Sequence, residues 1–375
     1  MGETLSVALA AGGTAGHINP ALALAEELTS RGHEVSFFGQ ERRLEGTLVP
    51  QAGFDLTSLD VTGFDRTRPW TLVSALWRMR AAGRDLDRHF AHAGVPDVAV
   101  GFGAYVELPL VRWCARHGVP YVLHEQNSVP GLANRTAAAK AAAVCVSLPV
   151  AIDAFRGRVG AQTQIVVTGN PVRRSVIGAS RPGGRAAFGL VDGETMLLVF
   201  GGSLGARHLN EAVAALKDEL LSRDGLRIVH STGRDLFDEV TRSLALTDEE
   251  SRRWQVRPYI DNMGEALAAA DLVLARAGAS SIAEIAAVAV PSLLVPYPLA
   301  TADHQTTNAR YLVDAGAAVM VADDGIDGPE FSTRLLRLVD DGALRSRMRE
   351  CARSLAQDQA AGALADQVER AARDR

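Results

Sequence analysis

Cysteine is scarce in this 375-residue sequence, and its three copies, Cys114, Cys145 and Cys351, lie far apart without a Cys-x-x-Cys pair. This spacing argues against a disulfide framework and against a zinc site, and it fits a reducing compartment. Long low-complexity segments and like-charged runs are also missing. With a net charge of -5, the chain has no overall attraction for nucleic acid. We therefore expect no nucleic-acid partner and a local patch for any anionic partner.

Signals for export and for membrane spanning are lacking as well. Glu3 and no basic residue precede the first short apolar stretch, which indicates a strand rather than a signal peptide. The most apolar long stretch, residues 285–300, contains Pro291, Pro296 and Pro298 and is too short to cross a bilayer. We expect a soluble or peripheral protein.

The length and the hydrophobic pattern indicate two α/β domains. Domains average about 150 residues, so this length favours two of them. Short Val, Leu and Ile runs alternate with Ala-rich helical stretches, which is typical of a doubly wound parallel sheet covered by helices on both faces. We predict strands at 5–10, 34–38, 97–101, 120–124, 143–147 and 164–168, and then at 196–200, 227–230, 255–257, 272–275, 292–295 and 318–321.

The two halves begin alike. A strand runs into GGTAG at 12–16 in the first half and into GGSLG at 201–205 in the second, and each turn opens a helix. Such turns bring backbone N–H groups and the positive helix end close to an anion such as a diphosphate, although every α/β protein also needs tight turns. Ala11 replaces the first glycine of the dinucleotide fingerprint, and no P-loop lysine follows, so a dehydrogenase or a P-loop ATPase is disfavoured.

A larger set of motifs resembles one family. The motifs are GGTAGH at 12–17, NPA at 19–21, HEQN at 124–127, GNPVR at 169–173, GGSLGAR at 201–207, IDNM at 260–263, RAGASSIAE at 276–284 and DHQ at 303–305. In this order they resemble the MurG family, the peptidoglycan N-acetylglucosaminyltransferases of bacteria. The resemblance spans nearly the whole chain.

The resemblance implies a GT-B fold, with two Rossmann-like domains facing across a cleft. Residues 1–172 would bind the acceptor and the membrane, and residues 173–352 would bind the UDP-sugar. A final helix at about 353–375 would return to the first domain. The linker follows from the Pro- and Gly-containing segment 170–184.

The implied reaction moves N-acetylglucosamine from UDP-N-acetylglucosamine to the 4-hydroxyl of the muramoyl sugar of lipid I, inverts the anomeric centre and makes lipid II. The implied partners are these two substrates, an anionic membrane surface at the cytoplasmic face and proteins of cell-wall synthesis. Three alternatives stay open: another GT-B lipid glycosyltransferase, a UDP-N-acetylglucosamine epimerase and a noncatalytic subunit that binds the lipid carrier.

The resemblance also assigns donor-binding roles. Thr14, Ala15 and Gly16 would lie near the donor, Asn127 and Arg173 would reach its sugar and diphosphate, and Ser203 would contact phosphate. The backbone of Ile260 would meet the uracil, and Gln305 would bind the sugar hydroxyls. Uridine and its phosphates would be held by Ala279, Ser280, Ser281, Ile282, Ala283 and Glu284, with Glu284 on the ribose. Ala15 departs from the family pattern, where many relatives carry glycine, and we expect no loss of activity from its methyl group.

An inverting transfer needs a base beside the acceptor hydroxyl. His17 is our candidate, because an imidazole accepts a proton near neutral pH, and the alternative is a histidine that only hydrogen-bonds substrate. A second alternative applies to Ser281 and Glu284, whose spacing also fits a helix capping box.

No metal or other cofactor is expected. The chain has one Asp-x-Asp spacing, Asp85 and Asp87, of the kind that binds a metal in other glycosyltransferases. Arg84 and Arg88 flank it in a helical stretch, a pattern that favours a solvated charged face.

Residues 70–80 predict a helix that is apolar on two sides. Trp70, Val73 and Trp77 fall on one side and Leu72, Leu76 and Met79 on a broadly opposite one. The surrounding arginines, Arg66, Arg68, Arg78, Arg80 and Arg84, favour docking on anionic lipid headgroups, with Trp113 beside Arg112 extending the patch. The alternative is that both sides are buried within the domain.

The turn at 101–105 follows a predicted strand, and Gly103 and Tyr105 belong to it. It resembles a further glycine-rich loop of the family, which faces the lipid diphosphate of the acceptor. A helix start at this point offers another anion site.

Overall fold

The computed structural model describes residues 3–61, 70–202 and 205–374, with the backbone alone for residues 71–73 and 76. The chain forms two compact units, Met1–Arg173 with Asp358–Arg375, and Arg174–Gln357. The chain therefore leaves the first unit after residue 173 and re-enters it after residue 357.

The strands, in chain order, are β1 Ser6–Ala10, β2 Glu34–Gly39, β3 Leu56–Ser58, β4 Val98–Gly101, β5 Tyr121–Glu125, β6 Ala143–Val146, β7 Gln164–Val167, β8 Thr195–Phe200, β9 Leu226–Ser231, β10 Trp254–Arg257, β11 Leu272–Ala275, β12 Ser292–Leu294 and β13 Ala318–Met320. The helices of the first unit are α1 Ala15–Ser30, α2 Glu45–Gln51, α3 Thr71–Ala93, α4 Glu107–His117, α5 Leu132–Ala137, α6 Ile152–Phe155 and, much later, α18 Ala360–Arg373. Those of the second unit are α7 Arg174–Ile177, α8 Arg181–Ala187, α9 Arg207–Ala214, α10 Lys217–Leu221, α11 Phe237–Leu244, α12 Asp248–Arg253, α13 Met263–Ala269, α14 Ala279–Val288, α15 His304–Val313, α16 Pro329–Asp340 and α17 Gly342–Arg353.

In the first unit, the described strands form one parallel sheet in the order β3-β2-β1-β4-β5-β6-β7. Val7 and Leu9 of β1 face a core that α1 and α18 complete, and Ala8 and Ala10 face the opposite core, beneath α3 and α4. The strand order reverses between β1 and β4, so the loops that follow these two strands border the crevice where such sheets bind ligands.

In the second unit, the described strands form a parallel sheet in the order β10-β9-β8-β11-β12-β13. Its central strands β8 and β11 are nearly continuous apolar runs, as expected where helices cover both faces. The order reverses between β8 and β11, which makes the loops after these strands the corresponding binding position. The predicted fold class, two doubly wound Rossmann-like domains, is confirmed.

The last helix belongs to the first unit. Leu364, Ala365 and Val368 of α18 are fully buried in the same core as α1. Arg31, which follows α1, lies 2.7 Å from Asp366 and 2.9 Å from Glu369. Apolar packing and a cluster of ion pairs therefore hold α18 against α1.

Candidate functional site

The loop after β1 rests on a buried carboxylate. Glu45, the first residue of α2, is fully buried and accepts hydrogen bonds from the backbone N–H groups of Gly13 and Gln40, each at 3.1 Å. A Cβ atom at Gly12 would lie 2.3 Å from the same carboxylate, and Gly13 has a φ of +85°. Glycine is thus required at both positions, one for space and one for backbone conformation.

His17 lies in the first turn of α1, directly after this loop. Its ring is half-buried, and Nδ1 lies 3.0 Å from Thr14 Oγ1. Thr14 is the N-cap residue, with Ala15 and Gly16 opening the helix. The hydroxyl of Thr14 therefore orients the imidazole through its Nδ1 edge.

The loop after β4 also lies over a buried carboxyl group. Glu107 begins α4, is fully buried and accepts a hydrogen bond from the Gly103 N–H at 2.5 Å. Burial raises the pKa of Glu107 to about 8, against the opposing effect of the Gly103 N–H and with a further rise from the charge of Glu125. Tyr105 in this loop donates its hydroxyl to Gln40 at 2.9 Å.

A third buried carboxyl group, Glu125 at the end of β5, organises the next loop. Its Oε1 accepts from the Asn127 N–H at 3.0 Å. Its Oε2 accepts from the Gly131 N–H at 3.0 Å and from Asn134 Nδ2 at 2.9 Å. Burial raises the pKa of Glu125, although these hydrogen bonds act in the opposite direction. Asn127 is therefore held at the carboxyl edge of the sheet.

Arg173, the last residue before the chain enters the second unit, is half-buried. Its Nε lies 2.9 Å from Glu26 Oε1 on α1. This ion pair fixes the guanidinium group against the same helix that carries His17.

In the second unit, the loop after β8 is tightly packed. A Cβ atom at Gly201 would lie 2.4 Å from the Ala206 side chain, and one at Gly205 would lie 2.1 Å from the Thr232 carbonyl oxygen. Ser203 lies outside the described residues. Gly201 and Gly205, which flank it in sequence, are thus required because neighbouring atoms approach their backbone closely.

Helix α14 begins where β11 ends, beside the position at which the strand order reverses. Gly278 is its N-cap residue and makes no side-chain cap. Ser281 is the third residue of this helix and not its N-cap, so the alternative of a capping box at Ser281 and Glu284 is ruled out. The side chains of Ala279, Ser280, Ser281, Ala283 and Glu284 are partly exposed, whereas Ile282 is buried.

Gln305 connects two neighbouring loops of this unit. Its Oε1 accepts from the Ala277 N–H at 3.1 Å and from the Tyr297 N–H at 2.9 Å. Ile260, in the loop after β10, is buried, so only its backbone can address a ligand. Gln305 is thus fixed beside the start of α14 through its amide oxygen.

Comparison with known proteins identifies the family. Residues 7–146 match the glycosyltransferase family 28 N-terminal domain, and residues 196–365 match the glycosyltransferase family 28 C-terminal domain. A Halothermothrix orenii protein named UDP-N-acetylglucosamine--N-acetylmuramyl-(pentapeptide) pyrophosphoryl-undecaprenol N-acetylglucosamine transferase is 37% identical over 364 residues, which are 96% of each chain. A Nitratidesulfovibrio vulgaris protein of the same name is 40% identical over 366 residues, again 96% of each chain. The crystal structure of Acinetobacter baumannii MurG matches with a TM-score of 0.72 at 28% identity and covers 98% of this chain and 100% of that one.

The chain belongs to the MurG family. Membership confirms the prediction of a glycosyltransferase. It also explains why each unit presents glycine-rich loops at the carboxyl edge of a parallel sheet, where a nucleotide or another anionic group binds.

The Asp-x-Asp residues of this MurG-family chain have partners within the first unit. Asp85 pairs with Arg88 one helical turn away. Asp87 accepts a hydrogen bond from Trp113 Nε1 at 2.7 Å and lies 3.7 Å from His117 Nε2. Among the described residues, no group of three or more His, Cys, Asp or Glu side chains could hold a metal ion.

The predicted membrane patch is only partly at the surface. Trp70 and Trp77 are 70% and 65% exposed, and Arg80 and Arg84 are exposed on the same helix, α3. The placement of Trp113 in this patch was wrong: it is 3% exposed and stacks on His117 with ring centroids 4.0 Å apart. The side chains of Val73, Leu72 and Leu76 lie outside the described set, as do Arg66 and Arg68.

Two features of the site were missed in the sequence. Glu45 lies 32 residues from Gly13, so no local spacing indicates their contact. Glu107 has a recognisable signal, an acidic residue that opens a helix directly after a glycine-rich turn, and its burial distinguishes it from an ordinary first-turn carboxylate.

Within the residues described, no helix is long and apolar enough to span a membrane.

Proposed function

We propose that this protein transfers N-acetylglucosamine from UDP-N-acetylglucosamine to the 4-hydroxyl of the muramoyl sugar of lipid I and so forms lipid II. The near-full-length likeness to relatives named for this transfer carries the proposal. The two glycine-rich sheet edges support it, because the reaction needs recognition of a diphosphate in the donor and of another in the acceptor.

In this proposal the second unit recognises the nucleotide. The backbone of Ile260 meets the uracil, the N–H groups at the start of α14 meet the phosphates together with Ser203, and Glu284 binds the ribose hydroxyls. Gln305 is assigned to the sugar. Its amide oxygen is bound to backbone N–H groups, and its Nε2 would donate to a sugar hydroxyl. Replacing Glu284 with Gln is expected to raise the donor KM at least tenfold, and an unchanged donor KM would remove the ribose assignment.

The first unit contributes Asn127 and Arg173 to the donor's sugar and diphosphate, and Thr14, Ala15 and Gly16 are assigned to positions near the donor. Its half-buried His17 is assigned as the base. The acceptor oxygen bonds to the anomeric carbon while the bond from that carbon to the UDP oxygen breaks, His17 takes the hydroxyl proton, and UDP leaves with the electron pair. A His17→Ala enzyme should lose at least a hundredfold in kcat with little change in UDP affinity, and near-normal kcat would leave His17 a binding residue only.

We further propose that the protein is peripheral and docks through α3 at the cytoplasmic face of the membrane. Trp70 and Trp77 are two helical turns apart and both exposed, and Arg80 and Arg84 supply positive charge beside them. A cavity of about 270 Å³ opens next to α4; Arg112, Arg116 and Lys140 line it together with apolar side chains such as Leu108 and Val111. Cations beside an apolar surface suit anionic headgroups and their chains.

Vesicle binding tests the docking proposal. The Arg80→Glu, Arg84→Glu double variant should bind vesicles containing phosphatidylglycerol at least tenfold more weakly than the wild type. The matched control is Arg242→Glu, Arg252→Glu, which changes the net charge equally at exposed positions of the second unit. Equal loss in both variants would reduce the effect to net charge, and no loss in either would overturn the docking face.

The reaction itself is tested by transfer of labelled N-acetylglucosamine from its UDP carrier to purified lipid I in detergent. Labelled lipid II is the expected product. Label in a diacylglycerol control would favour another lipid glycosyltransferase, and donor conversion without any acceptor would favour an epimerase. Lipid I binding without turnover by folded protein would favour the noncatalytic carrier-binding subunit.

A further inference from the structure

Glu107 occupies an unusual position for a charged residue type. It is fully buried beneath the loop after β4, where its Oε2 accepts the Gly103 N–H at 2.5 Å. A Cβ atom at Gly101 would lie 2.5 Å from that same oxygen. The carboxyl group is therefore packed directly against the loop backbone, and it is shielded from any ligand that the loop binds.

Gly103 links this carboxyl group to two side chains on its other side. The Cβ position of Gly103 lies 3.2 Å from His17 Cδ2 and 3.5 Å from Asn134 Nδ2. Asn134 is in turn held by Glu125 at 2.9 Å. A shift of the Gly103 backbone would therefore displace the neighbours of the imidazole that we assign to the acceptor.

Two polar atoms in this cluster have no hydrogen-bond partner within the described part of the chain. They are Glu107 Oε1 and Asn134 Oδ1, and both residues are buried. An ionised carboxylate with one unpaired oxygen is costly in such surroundings, whereas a neutral carboxylic acid avoids most of that cost. The arrangement thus favours a protonated Glu107 at neutral pH, in agreement with its raised pKa of about 8.

We propose that Glu107 is a positioning residue for the acceptor side of the reaction: its buried carboxyl group fixes the Gly103 backbone, and the fixed loop keeps His17 and Asn134 in place. This role rests on the proposed function, because it assigns the loop at 101–105 to the acceptor. Glu107 acts through Gly103 and touches no substrate itself.

Ionisation of Glu107 should disturb the loop. The titratable groups around it are Glu125 and Tyr121 on β5 and His17 across Gly103 on α1. A negative charge on Glu107 would face the carboxyl group of Glu125 in the same buried region. Acceptor turnover should therefore fall as the pH rises above about 8.

Two substitutions separate positioning from simple packing. Glu107→Gln retains an oxygen that accepts the Gly103 N–H and cannot ionise, whereas Glu107→Ala removes the acceptor. At pH 7.5 we expect Glu107→Gln to keep kcat/KM for lipid I within threefold of the wild type and to abolish the decline above pH 8. Glu107→Ala should lower kcat/KM for lipid I at least tenfold while UDP affinity, measured by calorimetry, stays within twofold.

Hydrogen exchange of the segment around Gly103 gives a readout that is independent of turnover. Exchange should be slow in the wild type and in Glu107→Gln, and at least tenfold faster in Glu107→Ala. If the wild type made no lipid II, the proposed function would fail, while this exchange pattern would still decide whether Glu107 fixes the loop. Should Glu107→Ala not fold, Glu107→Gln decides through its exchange and its pH profile.

Three results would overturn the proposal. They are wild-type lipid I kinetics in Glu107→Ala, unchanged exchange near Gly103 in that variant, and a folded Glu107→Gln enzyme as impaired as Glu107→Ala.

Discussion

His208 Nδ1 lies 2.9 Å from Asp323 Oδ2, so the second residue of α9 is tied to the segment that follows β13. The other ring nitrogen lies 2.9 Å from Asp327. Asp323 also pairs with Arg276, which directly follows β11 and precedes α14. Hydrogen bonds to the two carboxylates raise the pKa of His208. Burial raises the pKa of Asp323, but the hydrogen bonds from His208 and Arg276 outweigh this and lower it overall.

This pair predicts a pH-dependent stability. Because the folded pKa of His208 is raised, its stabilising effect is complete below the unfolded value of about 6.5 and is lost as the pH rises through the folded pKa. The melting temperatures of the wild type and of His208→Gln should therefore differ most near pH 6 and become equal at alkaline pH. His92→Gln, an exposed histidine on α3, is the control. A gap that stays constant from pH 6 to 9 would contradict the prediction.

Gly103→Ala should impair turnover. Its φ of +85° strains any residue with a Cβ atom, and that atom would lie 3.2 Å from the His17 ring. Gly118→Ala is the matched control, because Gly118 has a φ of +72° and no atom within 4 Å of its Cβ position. Both should lose about 1–2 kcal/mol of stability, but only Gly103→Ala should lose lipid I turnover, by tenfold or more in a kinetic assay. Equal turnover in the two variants would show that the contact with His17 has no effect beyond the backbone strain that both variants share.

Ala104→Gly should stabilise the first unit. Ala104 has a φ of +58°, in the left-handed region where alanine costs about 1 kcal/mol relative to glycine. The melting temperature should rise by about 2–4 °C for a domain of this size. The control Ala91→Gly, at an exposed helical position of α3, should instead lose roughly 0.5–1 kcal/mol. A lower melting temperature for Ala104→Gly would mean that the loop gains nothing from relief of strain.

Arg31→Ala should loosen α18. The Arg31 side chain is 27% exposed and contacts both Asp366 and Glu369 of that helix. Loss of these partly exposed ion pairs should cost about 0.5–1 kcal/mol, visible as faster hydrogen exchange in α18. Arg373→Ala provides the control, since Arg373 is 72% exposed and pairs with Glu369 within its own helix. If hydrogen exchange in α18 were the same in both variants, the contact with Arg31 would not contribute to holding α18 on the first unit.

The sequence predicts the sheets better than it predicts their edges and supporting groups. Strands such as β1 and β8 are buried on both faces, and their unbroken apolar runs are readable without a structure. Strand β3 was missed because it has only three residues, half-buried or exposed, at the end of the sheet. The prediction for Trp113 was wrong because an aromatic residue beside an arginine gives the same sequence pattern at the surface and in the core. Burial depends on which elements pack together, and neighbouring residues do not record it.

The candidate site shows the same division. Motifs such as those at 12–17 and 276–284 are local and were visible in the sequence. The carboxyl group of Glu45 was not, because β2 and 32 positions of sequence separate it from Gly13. The alternative of a capping box at Ser281 and Glu284 was also a local pattern, yet α14 begins at Ala279, two residues before Ser281. Local spacing alone is too weak a signal to fix the start of a helix.

Helix α18 fills one core of the first unit, yet Arg31 and Asp366 are 335 residues apart in sequence. During synthesis on the ribosome, residues 1–173 emerge long before the helix that covers α1. Until residues 360–373 have been made, the part of this core that α18 covers stays open, and the nascent first unit exposes apolar surface to chaperones and to aggregation. Joining two such distant segments costs loop-closure entropy that grows only slowly with length, so the delay is a matter of timing more than of stability.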